Sequence, residues 1–331
     1  METWIAGLIL LVIKLGVVLI VLVLVAAYMV WVERKLLGRL QVRYGPNRAG
    51  RFGLLQPLAD LIKLVTKEDT VPAGAEKTIF LLAPAIVGTT AMLIFAVIPF
   101  GSSLILWGRP IPMVITDLNV ALLFVVALSS LGVYGVALGG WASNSKYSLL
   151  GGIRGAAQMI SYELSFGLSL VPVVMLTRSF SLVDIVNAQT RYPFILVQPV
   201  SFLIFFVSAV AEIKRIPFDL PEAENELVAG YHTEYSGMRF GLFFLGEYIT
   251  LIVLGGLVAV FFLGGWRGPF LPPIIWFTLK VLVIVFVMIW IRGTLPRLRY
   301  DQLMSIGWKV LIPVSLLNIM VTGAVILLRI S

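Results

Sequence analysis

The chain has 331 residues, 60% of them hydrophobic and only 13% charged, with a mean hydropathy of +1.01. A water-soluble domain is nearer half apolar and a quarter charged, so lipid must be the solvent for most of this surface. The net charge of +8 does not point to nucleic acid, since the lysines and arginines stand in loops between apolar runs; with no cysteine and His232 as the sole histidine, the chain lacks the thiolates of an iron–sulfur cluster and the paired ligands of a membrane haem.

Met1-Glu2-Thr3-Trp4 offers neither a basic stretch nor a small-residue cleavage site before the first apolar run. That run, 5–32, is therefore expected to stay as a first membrane helix. The loop after it, 33–77, holds nine basic residues from Arg34 to Lys77. Within that loop, Leu54, Leu55, Leu58, Leu61, Ile62 and Val65 recur at helical spacing, with Gln56, Asp60, Lys63 and Lys67 elsewhere around the wheel. The segment is too short to cross a bilayer. It reads as an amphipathic helix lying in the interface plane, or as a lid packed on neighbouring helices, and the two are compatible.

Seven more windows approach the roughly 20 residues needed to span: 78–100, 119–138, 156–176, 193–213, 241–263, 274–291 and 308–328. The predicted fold is an all-α integral membrane protein, a single domain of eight transmembrane helices plus the in-plane helix. The odd-numbered loops, 33–77, 139–155, 214–240 and 292–307, carry most of the cations, whereas the even-numbered ones hold only Arg109, Arg178, Arg191 and Arg267. This asymmetry places the odd loops in the cytoplasm and both termini outside. Gly135 and Gly139 form a small-xxx-small pair suited to close helix packing.

Acids inside such windows need a reason, because a central charge costs about 2.5–3.5 kcal/mol on insertion scales. Glu163, Glu212 and Glu247 lie toward the cytoplasmic ends of three different spans. Each is either paired structurally with a cation or hydrogen bond, or part of a route for protons. Lys14 and Lys280 are intramembrane cations that either pair with acids or extend to the interface. The loop Glu212-Ile-Lys-Arg-Ile-Pro-Phe-Asp-Leu-Pro-Glu-Ala-Glu-Asn-Glu-Leu-Val-Ala-Gly230 is denser still. Asp219 suits the N-cap of a short helix with Pro221 and Glu222 in its first turn and Gly230 at its end. Capping does not explain Glu224 and Glu226, and Glu222 with Glu226 is a like-charge i,i+4 pair. Acids crowded among Ile216, Pro217, Phe218 and Leu220 suit a lipophilic ligand that must take up protons.

Several stretches carry a resemblance. Val32-Glu-Arg-Lys-Leu-Leu-Gly-Arg, Arg43-Tyr-Gly-Pro-Asn-Arg48 and Gly53-Leu-Leu-Gln-Pro-Leu-Ala-Asp60, together with the loop from Arg215 to Gly237, resemble the H subunit of bacterial respiratory NADH:quinone oxidoreductase, complex I. Asn144-Ser-Lys-Tyr-Ser-Leu-Leu-Gly151, Ser161-Tyr-Glu163, Gly246-Glu-Tyr248 and Leu295-Pro-Arg-Leu-Arg-Tyr-Asp-Gln302 extend the likeness nearly end to end. The resemblance implies a subunit of the inner membrane where the membrane arm meets the soluble redox arm. Quinone (ubiquinone or menaquinone) would enter between the first, in-plane and sixth helices, while soluble iron–sulfur partners reduce it. The chain itself would bind no metal, haem, flavin or iron–sulfur cluster. Glu163, Glu212, Glu226 and Glu247 would form the proton relay, and Arg34, Asp60, Arg215, Phe218, Asp219, Glu222 and Glu224 would line or brace the quinone path. Lys214 and His232 depart from the family pattern without disturbing the acids. The alternatives are an equivalent anchor in a hydrogenase or other dehydrogenase complex, and a stand-alone cation or proton transporter.

Overall fold

The computed structural model describes residues 2–106 and 109–330. Helix α1 runs from Glu2 to Leu40, past the end of the first apolar window, because Glu-Arg-Lys-Leu-Leu contains no helix breaker and the turn comes only before Gly45-Pro46. Glu33 and Arg34 therefore belong to this helix rather than to the loop. A short turn, Arg51–Gly53, leads into α2 (Gln56–Thr66), which has Pro57 in its first turn, where a missing N–H costs nothing. No residue of α2 is buried within this chain.

Next come α3 (Lys77–Phe95), α4 (Ala121–Ala142) and α5 (Lys146–Thr177), then short α6 (Leu182–Ala188) and α7 (Phe194–Val197). Then follow α8 (Pro199–Glu212), α9 (Glu224–Leu227), α10 (Gly237–Phe262), α11 (Pro273–Thr294), α12 (Tyr300–Ser305) and α13 (Ile312–Ile330). A π-helical turn, Ile306–Leu311, joins the last two without a break and absorbs the missing N–H of Pro313. Among the described residues, seven helical segments are long and apolar enough to cross a membrane.

The window predicted over 193–213 is not one helix. It breaks at Gln198 between α7 and α8, because the residue before Pro199 is pushed out of the helical region, here to φ −130°. The break is stitched to α13: Gln198 donates to Thr322 at 3.0 Å and accepts from Asn318 at 3.1 Å. A two-stranded antiparallel hairpin, β1 (Ser103–Leu106) with β2 (Arg109–Pro112), adds a strand element to the helical fold that apolar windows did not signal.

Helix α10 is apolar all round and lies at the centre, buried almost continuously from Tyr248 to Phe262. It packs against α1, α2, α3 and α11. Gly135 on α4 sits where an added Cβ would come within 2.4 Å of Val87 on α3, so its lack of a side chain sets that helix spacing. The two intramembrane lysines satisfy themselves on backbone. Lys14 donates to the carbonyls of Pro112 and Val114, and Lys280 to those of Leu263, Gly265 and Arg267.

Candidate functional site

Glu212 ends α8, and the chain then turns through Lys214, which takes φ +61°. Gln158 of α5, wholly buried, pins both sides of this turn. Its side-chain amide donates to Ala211 O at 2.8 Å and to Phe218 O at 2.7 Å. Between those anchors, Arg215 is driven into the bundle, where its guanidinium stacks 4.4 Å from the ring of Tyr248.

Arg215 is the hub of a buried charge network. Its Nε donates to Glu247 Oε1 at 2.5 Å and its Nη1 to Glu33 Oε2 at 2.7 Å. Glu33, only 1% exposed, also accepts from Arg292 at the end of α11. Helices α1 and α10 thus converge on one loop arginine, and α11 joins them through Glu33. Burial opposes the charge on Arg215, but Glu247 and Glu33 overcome it and hold its pKa above the ordinary value.

Glu212 and Glu247 also line one cavity, with Lys214, Ser129, Thr90 and Thr250 supplying its other polar groups and apolar residues, Phe166 and Met159 among them, the rest. Its volume of about 40 Å³ exceeds the roughly 10–15 Å³ that a single water requires. Ser129 of α4 donates to Glu212 Oε1 at 2.9 Å, and its neighbour Ser130 donates to Glu163 Oε1. Two adjacent hydroxyls therefore bridge the acids of α8 and α5. Burial lowers the pKa of Lys214 against the opposing pull of Glu247, Glu222 and Glu212.

The rest of the loop lies beside this cluster. Phe218 is core, packed 5.2 Å from Tyr162. Burial pushes Asp219 up to about 7, reinforced by Glu222 and opposed by Arg297 and Arg292. The Asp219 backbone carbonyl accepts two hydrogen bonds from Arg297, at 2.6 and 3.2 Å, while its Oδ1 has no hydrogen-bond partner among the described residues. Burial would raise Glu222, but a contact to His232 Nε2 at 3.4 Å and the charge of Lys214 prevail and lower it.

The predicted capped helix over this loop is replaced by one turn. Ala223, at φ +35°, precedes α9, no side chain caps it, and Val228 at φ +66° ends it. Arg297 holds Asp219 by its carbonyl, which leaves the carboxylate out of capping position. Gly230 is required at φ +60°, since an added Cβ would fall 1.7 Å from Pro221 O.

The structure brings Glu163, Glu212, Glu247, Arg215, Asp219 and Glu222 to one region, alongside the N-terminal half of α10. Glu226 stands apart, exposed and paired with Arg154 at 2.6 Å, and this hydrogen bond lowers its pKa. Arg34 and Asp60, 2.8 Å apart, tie α1 to α2 rather than joining the cluster, and Gln56 also donates to Asp60. Glu224 opens α9, but its side chain lies outside the described ones.

Sequence reading missed Glu33, Arg292, Gln158 and the Ser129–Ser130 pair. Glu33 was legible as an acid in an unbroken helical run, had the first span not been closed one residue before it. Gln158 was legible as an amide within an apolar window. The serines are hydroxyls on an otherwise apolar helix and gave no separate signal.

A family model described as NADH dehydrogenase matches residues 13–323. The second H subunit of NADH-quinone oxidoreductase in Syntrophobacter fumaroxidans is 73% identical over 327 residues, which cover 99% of each chain. The first H subunit of that enzyme in Geobacter metallireducens is 65% identical over 316 residues, 96% of each chain. The H subunit from Syntrophotalea carbinolica is 65% identical over 322 residues, 97% of this chain and 98% of its own.

Proposed function

We propose a function from the premise that this chain belongs to the NADH dehydrogenase family, as the membrane-embedded H subunit of NADH-quinone oxidoreductase. Its partners are the other subunits of that complex. Our reading is that the chain admits quinone from the bilayer and couples its reduction, carried out by soluble partners, to proton movement through buried carboxylates. Electrons stay with the partners. The chain works within the bacterial inner membrane, with eight spans, the broken α7–α8 segment being the fifth, and with the acidic loop on the cytoplasmic side.

The observation that carries this reading is the shared cavity. Glu212 and Glu247 open into one small chamber that is otherwise largely apolar, and Arg215 ties Glu247 to Glu33 and Arg292. A change of charge near the acidic loop is felt at Glu247 through Arg215, because short ion pairs in a low-dielectric interior interact strongly. The contacts of α1, α2 and α10 with one another support a portal for a lipophilic substrate. The apolar side chains that α2 leaves exposed, Leu58, Leu61, Ile62 and Val65, together with Leu55 just before it, support its lying in the interface plane.

In inverted membrane vesicles, the Glu212→Gln variant of the assembled complex should lose quinone-linked NADH oxidation and proton pumping together. Electron transfer to a hydrophilic artificial acceptor should continue. Full quinone turnover with normal pumping would overturn the relay.

A further inference from the structure

The far end of the bundle holds a second cavity, of about 570 Å³, which the proposed coupling role does not use. It lies between the loop after α6 and the loop joining α10 to α11, at the C-terminal end of α10. Leu263, in its lining, lies sixteen residues beyond Glu247, so the cavity is about 24 Å from the charge network around Arg215 along the axis of that helix. We infer that this cavity binds the phosphate headgroup of an anionic phospholipid, with Arg191 and Arg267 as its recognition groups.

The charge is unbalanced there. The basic residues of the even-numbered loops are Arg109, Arg178, Arg191 and Arg267, and two of these four line this one cavity, whereas Asp117 and Asp184, the acids of those loops, do not. Among the described residues, its lining contains no carboxylate. The hydrogen bonds of Arg267 go to neutral partners, Thr190 Oγ1 at 2.8 Å and Asn187 Oδ1 at 3.0 Å. Arg191 lies against the ring of Tyr192, 5.6 Å away, and among the described residues no salt bridge involves either arginine. Both guanidinium charges remain free to pair with an anion, and such forks suit phosphate oxygens.

The walls are built rather than incidental. Gln189 is buried and bonded at both ends of its amide. It donates to Val260 O at 2.7 Å and Ile185 O at 3.2 Å, and accepts from Gly264 N at 2.9 Å and Phe194 N at 3.1 Å. One side chain thus locks the two loops together. Lys280 adds a second lock, its ammonium gripping three carbonyls of the loop that carries Arg267, and one of the three is that of Arg267 itself.

The surroundings select a lipid over a soluble anion. The cavity lining includes the exposed Leu271 and runs to Pro273, the first residue of α11, whose next residues present the exposed apolar side chains Ile274, Ile275, Leu279 and Leu282. A ligand with an anionic head and aliphatic tails fits both parts, and an apolar helix ends where headgroups lie.

The test uses the purified, delipidated complex. It is titrated with phosphatidylglycerol, with phosphatidylcholine of the same chains, and with inorganic phosphate, and lipid retained on this chain is read by native mass spectrometry. Phosphatidylglycerol should be retained. Arg191→Gln should weaken it about tenfold and the double variant with Arg267→Gln further, while the double Lys variant keeps most of it. Arg191 is exposed, so its single substitution decides the matter even where the double variant fails to assemble. Equal binding of phosphatidylcholine, full competition by inorganic phosphate, or unchanged retention in Arg191→Gln would overturn the proposal. So would a photoreactive group on Leu271 that captures a neighbouring polypeptide instead of lipid. Quinone turnover is not the readout, so this result and the relay stand or fall separately.

Discussion

Arg215 shows how much a single side chain carries here. It has two carboxylate partners on different helices and a ring beneath it, an arrangement that a lysine's point charge cannot copy. Arg215→Met leaves Glu33 and Glu247 buried, with Arg292 left to answer them, and breaking such a pair typically costs about 3–5 kcal/mol. A fall in melting temperature and poor assembly are expected, and Arg215→Lys should recover only part of either. Asp219 makes the complementary prediction. Its pKa near 7 in the fold lies above the usual carboxylate value. A raised folded pKa means that its contribution to stability is complete in acid and is lost as pH climbs from about 4 through 7. Melting curves of wild type against Asp219→Asn should therefore converge at low pH and separate above neutrality, with the Asn variant the more stable. Parallel curves would show that the carboxyl is not destabilised by its surroundings.

At the scale of elements, residue type along the chain was a good guide to helices and a poor one to their interruptions. The apolar windows are legible because lipid demands long runs of one kind of residue. The break at Gln198-Pro199 is written in the sequence as an amide followed by a proline inside such a run, but a window average dilutes both. What keeps the break is the tertiary hydrogen bonding of Gln198 to Asn318 and Thr322, more than a hundred residues away. The acidic loop was legible as a chemical cluster but not as a conformation, since Arg297 and Gln158 shape it from other elements. Gln158→Leu keeps the volume roughly, strands the carbonyl of Phe218 in the core and leaves that of Ala211 with its 3.2 Å bond from Lys214 N. At about 1–3 kcal/mol for a buried group left unpaired, the loss should be about 2 kcal/mol. Thermal unfolding would measure it, and faster proteolysis within 213–230 would locate it. A variant as stable as wild type, with its loop equally protected, would show that the loop holds itself.

Across the whole molecule, the acids form a line only because four helices each contribute one part. Glu163 on α5 meets Ser130, Ser129 meets Glu212 on α8, and the cavity joins Glu212 to Glu247 on α10. No pairwise sequence spacing announces this order, which comes from packing α4 against α5 and setting α8 beside α5. The weak point of the line is the hydroxyl pair, since it connects the outer acid to the chamber. Ser129→Val replaces the hydroxyl by a methyl group, adds a second methyl that threonine shares, and makes that wall of the chamber apolar, so water loses a partner there. Glu212 keeps its place, because the helix that carries it is pinned independently through Gln158. The complex should therefore assemble and bind quinone normally while proton movement falls by about tenfold, a modest share of what a positioned proton-transfer group contributes. The measurement is the initial rate of acidification in proteoliposomes, compared with quinone-linked NADH oxidation in the same preparation. A Ser129→Thr variant, which restores the hydroxyl, should recover the rate. If pumping is untouched in Ser129→Val, protons reach Glu212 without the serine, and Glu163 loses its place in the route.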